Sequence, residues 1–188
     1  MNTPFVEVID EVVLQQRVKE LGREITESLP VPDPVVIGVL KGSVPFLKDL
    51  TTHLPLTIEV DFLNLTRFGR EGRVSVAMDL SVPIEGRSVL IVEDIVDTGL
   101  TLATMRKMLQ ARGAASISTV ALVDKAPRRI VDVPVEHRGF EVGDEFLLGY
   151  GMDWQGRYRN VRSIWAVLDL QALKADPDSF ARMAFGSA

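Results

Sequence analysis

Apolar positions along this chain follow two periods, one near 3.6 residues and one near 2, and their alternation outlines the fold. Val13, Leu14, Val18, Leu21, Ile25 and Leu29 share one face of an amphipathic helix expected over residues 11–29. Pro30-Val31-Pro32-Asp33-Pro34 should end that helix, because proline cannot continue it and restricts the residue before it. Val35 to Leu40 is a short unbroken apolar run, as in a parallel strand buried on both faces. Lys41-Gly42-Ser43 follows as a turn, and a short helix is expected over Val44 to Leu50. Strand character marks Thr57 to Leu65, Val74 to Met78, Ser88 to Val92 and Ser116 to Val123. Leu102, Met105, Met108 and Leu109 give a helix over Leu102 to Arg112, stopped by Gly113. The polar, glycine-bearing stretch Arg67 to Arg73 reads as a mobile loop. Later the chain is loop-rich, with short strands expected at Glu145 to Leu148 and Ser163 to Leu168. Strands alternating with helices predict an α/β domain with a mainly parallel sheet.

Length and composition narrow the class without changing that outline. A chain of 188 residues is most simply one domain with a substantial core. Its 21 Lys+Arg against 26 Asp+Glu give a net charge of −5, which argues against a broad nucleic-acid surface. The group Lys125-Arg128-Arg129 is too small to reverse that. Without cysteine there are no disulfides, thiolate metal sites or cysteine nucleophiles. The first residues lack a secretory signal pattern, and no apolar run approaches the roughly 20 residues of a membrane helix. A cytoplasmic protein with no membrane partner is expected.

The candidate chemistry lies at strand ends, where open parallel sheets bind ligands. Val35 to Leu40 ends at Lys41-Gly42, Val89 to Val92 at Glu93-Asp94, and Ser116 to Val123 at Asp124-Lys125. Three such ends suggest one shared crevice. The most informative stretch is Val89 to Thr101, in which an apolar run stops at Glu93-Asp94 and Asp97-Thr98-Gly99-Leu100-Thr101 leads into a helix. Backbone N–H groups and threonine hydroxyls at a helix N-terminus suit a phosphate, and Gly99 permits close approach. Asp97 or Thr98 alone would serve equally well as a helix N-cap. Three carboxylates within five residues, Glu93, Asp94 and Asp97, favour a ligand. Neither Gly-x-Gly-x-x-Gly nor Gly-x-x-x-x-Gly-Lys-Ser/Thr occurs, which disfavours Rossmann and P-loop enzymes. Alone, Lys125 would be a solvated surface lysine and Phe146, Trp154 and Trp165 core aromatics. His53 and His137 lack any pattern indicating a metal or a triad.

Val89 to Leu102 resembles the phosphoribosyl-pyrophosphate (PRPP) signature of the type I phosphoribosyltransferases. Gly38 to Ser43, Val60-Asp61-Phe62, Leu122 to Lys125 and Asp144 to Asp153 extend the likeness to the hypoxanthine-guanine branch, from about Val35 to Leu170. The resemblance implies the family's twisted, mainly parallel sheet flanked by helices, with a small hood formed by terminal and loop segments. It implies that Asp97 acts as base or acid at purine N7, inside a loop Asp97, Thr98, Gly99, Leu100 and Thr101 that cradles the 5-phosphate. Glu93 and Asp94 would engage the ribose hydroxyls and influence Mg2+, with Asp153 helping to hold Mg2+ and pyrophosphate beside the purine. Leu40, Lys41, Gly42 and Arg159 would form the pyrophosphate side, where the Leu40–Lys41 peptide can be cis. Lys125 would contact the exocyclic oxygen of a 6-oxopurine, Phe146 would stack on the base, and the Leu147 backbone would meet its edge.

The chemistry suits these residue types, since carboxylates favour positive charge on the ribose and cations favour the leaving pyrophosphate. The resemblance also implies a homodimer or homotetramer. Two departures stand out: Arg67-Phe68 where many members have Ser-Tyr, and Leu100 where some have lysine. A xanthine-preferring transferase and a PRPP-sensing regulator stay open, although the regulator would need a nucleic-acid surface that this acidic chain does not advertise.

Overall fold

In the computed structural model, which describes residues 3–29, 33–68 and 73–186, the apolar runs lie side by side. The elements in chain order are β1 (Phe5–Ile9), α1 (Glu11–Ser28), β2 (Val35–Val39), α2 (Val44–Thr51), β3 (Glu59–Phe68), β4 (Arg73–Met78) and β5 (Ser88–Val96). They continue as α3 (Leu100–Ala111), β6 (Ser116–Asp124), β7 (His137–Glu141), β8 (Phe146–Leu148), β9 (Ile164–Val167), α4 (Leu170–Ala175) and α5 (Asp178–Phe185). A six-stranded sheet runs β4-β3-β2-β5-β6-β7. All its pairings are parallel except the edge strand β4, which is antiparallel to β3.

The two faces of this sheet explain the unbroken apolar runs. Val36, Leu90, Val92, Val120 and Leu122 pack with Leu14, Val18, Leu21 and Ile25 of α1 and with Phe46, Leu47 and Leu50 of α2. The alternate residues Val35, Ile37, Val89, Ile91 and Ala121 pack with Leu102, Met105 and Leu109 of α3. Each such aliphatic side chain contributes roughly 1.5–3 kcal/mol on burial. Helix α1 starts at Asp10, whose side chain accepts from the Val13 N–H at 2.9 Å, a standard N-cap. It ends at Ser28, and the proline stretch expected to stop it lies outside the described residues at 30–32.

Several features differ from the periodicity reading. Strand β5 does not stop at the two acids but runs to Val96. Its partner β6 keeps supplying backbone, pairing Glu93 with Ala121, Ile95 with Val123 and Val96 with Asp124. The two ends of the loop expected over Arg67 to Arg73 are strand, because β3 and β4 pair Arg67 with Val74 and Phe68 with Arg73. Residues 69–72 lie outside the described residues. Strands β1 and β7 and helices α4 and α5 were not foreseen. Only Phe5 and Ile9 are buried in β1 and only His137 in β7, so neither carries a clear apolar period.

The hood is a second, antiparallel sheet in the order β1-β9-β8. Phe5, Leu148, Tyr158, Val161, Val167, Leu173 and Phe180 form its core. The Phe180 ring meets Phe5, Tyr158 and Trp165 edge-on at centroid distances of 5.1, 5.0 and 5.8 Å. Trp154 and Trp165 sit half-buried at the rim of this cluster rather than inside it. Among the described residues no helix is long and apolar enough to cross a membrane.

Candidate active site

Past the carboxyl ends of β2, β5 and β6 the chain builds a crevice from short turns. The turn after β5 lines a concavity of about 100 Å³, bounded by Glu93, Asp97, Thr98, Gly99 and Thr101 among others. Gly99 caps α3 with φ +84°, a conformation that side chains disfavour. A Cβ there would lie 2.8 Å from Arg129 Cδ and 3.0 Å from the Val131 oxygen. The next segment pins the turn, since Ile130 and Val131 N–H groups donate to the Thr98 oxygen at 3.1 and 3.3 Å. The first backbone N–H groups of α3 therefore face a fixed hollow with the positive end of the helix dipole behind them. Leu100 is 40% exposed and adds backbone rather than a charged side chain.

On the floor of the crevice, Glu93 is 7% exposed. Burial first, then the neighbouring Asp94 charge, holds its carboxyl well above the usual range. Burial likewise pushes Asp94 up to about 6, backbone N–H groups and Arg159 oppose the shift, and Asp153 reinforces it. The turn after β2 closes directly on Asp94, because a Cβ on Gly42 would lie 1.6 Å from Asp94 Oδ2. The Leu40–Lys41 peptide is cis, and Lys41 is exposed beside it. Gly151, at φ +102°, packs on the other side, where a Cβ would meet the Gly42 oxygen at 1.8 Å. Arg159 joins this group, with Nη1 donating to the Gly151 oxygen at 2.5 Å and Nη2 pairing with Asp153 Oδ1 at 2.6 Å. Leu40, Lys41, Gly42, Asp94, Asp153 and Arg159 are thus gathered on one side.

The opposite side is built around Lys125. It is 6% exposed at the end of β6, which removes the solvated-surface reading. Its N–H donates to the Val96 oxygen at 2.9 Å, and its Nζ donates to the Glu145 oxygen at 2.5 Å. Burial lowers its pKa, while Asp97, Asp144 and Glu145 oppose that shift. The Glu145 bond sets Lys125 next to Phe146 and Leu147, the start of β8. Phe146 is half-buried and meets Trp154 edge-on at 5.6 Å. Leu147 is 6% exposed and paired with Ala166 of β9.

Asp97 links the two sides. Arg128 Nε donates to Asp97 Oδ1 at 2.6 Å, and Arg128 also pairs with Asp144. Arg129 donates to the Asp97 oxygen at 2.9 Å and pairs with Asp124. These two arginines were set aside in the sequence as a minor basic group. Their place directly after a ligand-bearing strand end was the available signal. Trp154 was likewise read only as core, yet its Nε1 is buried with no hydrogen-bond partner among the described residues. Among the described residues no group of three or more carboxylates or imidazoles is arranged to hold an ion on its own. What remains is a pair of hard oxygen donors, Asp94 and Asp153, close enough for one to raise the other.

Comparison with known proteins gives a consistent result. Residues 10–155 match the phosphoribosyl transferase domain family. Over 158 residues the chain is 42% identical to the hypoxanthine-guanine phosphoribosyltransferase of Bacillus subtilis, covering 82% of this chain and 88% of that protein. It is also 42% identical over 167 residues to the hypoxanthine phosphoribosyltransferase of Escherichia coli, covering 86% and 94%. A crystal structure of a hypoxanthine-guanine phosphoribosyltransferase from Bacillus anthracis superposes with a TM-score of 0.84 at 37% identity, covering 86% of this chain and 98% of that one.

Proposed function

The chain belongs to the phosphoribosyl transferase domain family, and on that premise we propose that it joins hypoxanthine or guanine to PRPP, giving IMP or GMP and pyrophosphate in purine salvage. The observation that carries this reading is the buried Lys125, held between Val96 and Glu145 within electrostatic reach of Asp97. It sets a cation suited to a purine oxygen beside a turn suited to a sugar phosphate.

In this reaction purine N9 attacks ribose C1, the bond from C1 to pyrophosphate breaks, and Asp97 accepts the proton leaving N7. Positive charge grows on the ribose and negative charge on the leaving group. Glu93 and Asp94 accept from the ribose hydroxyls and favour the first, while Lys41, Gly42 and Arg159 receive the second. The turn Asp97 to Thr101 fixes the 5-phosphate with backbone N–H groups. Lys125 turns its Nζ from the Glu145 oxygen to the purine's exocyclic oxygen, Phe146 stacks on the base, and the Leu147 backbone meets its edge.

Mg2+ fits the donors present, since it is commonly bound by one or two carboxylates together with substrate phosphates. Asp94 and Asp153 would hold it, with Glu93 adjacent, and the ion would supply neutralising charge to the pyrophosphate. With this reading we carry a single domain over 1–188, with its core about 35–170. We also carry a cytoplasmic location and a homodimer or homotetramer, which equilibrium sedimentation would distinguish.

The test is a purine panel with PRPP and Mg2+, in which nucleotide and pyrophosphate are both quantified. Equal amounts of each product with hypoxanthine or guanine support the reading. Product with xanthine alone redirects it to a xanthine-preferring enzyme, and PRPP binding without turnover points to a sensor.

A further inference from the structure

We propose that Tyr150 and Asp49 form a positioning clamp that fixes the pyrophosphate side of the site. The inference rests on the transferase reading and adds a residue pair to it. Gly149, Tyr150 and Gly151 lie in succession at φ +94°, +46° and +102°. Glycine is at ease there and tyrosine is not, so a side chain at position 150 needs a reason. That reason is its hydroxyl, which donates to Asp49 Oδ2 at 2.7 Å. Gln15 Nε2 donates to the same oxygen at 2.8 Å, and Lys48 Nζ donates to Oδ1 at 2.7 Å. Tyr150 is 4% exposed. Burial and the adjacent carboxylate push its phenol up, which keeps it a donor.

What the clamp holds is the leaving-group side. The Tyr150 N–H donates to the Val161 oxygen at 2.7 Å and the Gly151 N–H to the Arg159 oxygen at 3.0 Å. The Arg159 side chain returns to the Gly151 oxygen and pairs with Asp153. Asp49 belongs to α2, which starts directly after the Lys41-Gly42-Ser43 turn, and Gly151 abuts the Gly42 oxygen. One helix therefore references both pyrophosphate-binding turns. Asp49, Tyr150 and Arg159 line a common concavity of about 450 Å³. Simple core filling would need the tyrosine ring but not its hydroxyl.

The test compares Tyr150→Phe, Asp49→Leu and Asp49→Asn in the full-length protein. PRPP and purine KM, kcat, melting temperature and calorimetric binding of Mg2+-pyrophosphate are measured for each. In Tyr150→Phe and Asp49→Leu, PRPP KM and the pyrophosphate Kd should rise roughly 3- to 10-fold, with purine KM unchanged. Asp49→Asn keeps an oxygen for the tyrosine and should return close to the parent values. Unchanged pyrophosphate affinity in Tyr150→Phe overturns the clamp, as does an equal loss for every substrate that tracks the melting temperature. A parent protein that binds pyrophosphate but turns over no purine strikes only the transferase reading, because the binding arm is read directly.

Discussion

Along β5 and into α3, the residues that would meet the phosphorylated sugar fall within one stretch, from Glu93 to Thr101. Those that would meet the purine come from two places: Lys125 after β6, and Phe146 and Leu147 in β8. The phosphate half is therefore carried by one strand, one turn and one helix, pinned by the segment after β6 through the Ile130 and Val131 N–H groups on the Thr98 oxygen and Arg129 on the Asp97 oxygen. The purine half exists only when the hood docks on the main sheet, since Lys125 finds its bond at Glu145, 20 residues away. Anchoring the chemistry in the contiguous half leaves the assembled half free to set which base is used. Changes in the first half should damage every reaction, while changes in the second should alter the base and spare PRPP.

Asp97→Asn is the most severe challenge, because Asp97 stands where the halves meet. Turnover with hypoxanthine should fall by about 10²–10⁴ while the fold persists, and near-normal turnover by steady-state assay would remove Asp97 as the base. Lys125→Ala should weaken guanine binding by about 1.5–3 kcal/mol, the range for a hydrogen bond to a charged group, with PRPP KM unchanged. Equal weakening of PRPP would mean that the halves are not separable. Gly99→Ala should cost about 1–2 kcal/mol of stability, since alanine disfavours φ > 0, and should weaken ribose 5-phosphate and nucleotide alike. Calorimetry and thermal unfolding check both effects.

The smallest expected effect is one of stability. Asp94 has a folded-state pKa of about 6, above its ordinary value of 3.8, so the folded state binds its proton more tightly than the unfolded state. Its contribution to stability grows as pH falls from about 6 toward that ordinary value, and at pH 7 the ionised buried form is a cost. Metal-free Asp94→Asn should therefore be more stable than the parent at pH 7, with the gap narrowing at pH 5. A gap independent of pH would show that Asp94 ionises normally.

This contrast also explains what the sequence disclosed. The β5–α3 turn was legible because its chemistry and its period change fall within one short stretch. Lys125 was legible as a position at a strand end, but its bond to Glu145 depends on how β8 docks. Arg128 and Arg129 carry no pattern apart from their charge, and their partners Asp97, Asp124 and Asp144 come together only in the folded chain. Strand β7 is a sheet edge with one buried residue, so no alternation announced it. Tyr150 falls inside the Asp144 to Asp153 stretch, while its tie to Asp49 spans 101 positions and could not be read from spacing.

The separation of the halves is tested most directly by binding rather than turnover. IMP carries both a base and a sugar phosphate, whereas ribose 5-phosphate carries only the latter. Calorimetric titration of the parent protein and Lys125→Ala with each ligand isolates the purine contribution. We expect Lys125→Ala to bind ribose 5-phosphate like the parent and IMP at least tenfold more weakly, by the charged hydrogen-bond estimate above. Equal loss for both ligands, or no loss for IMP, would contradict a purine half assembled around Lys125 beside an independent phosphate cradle.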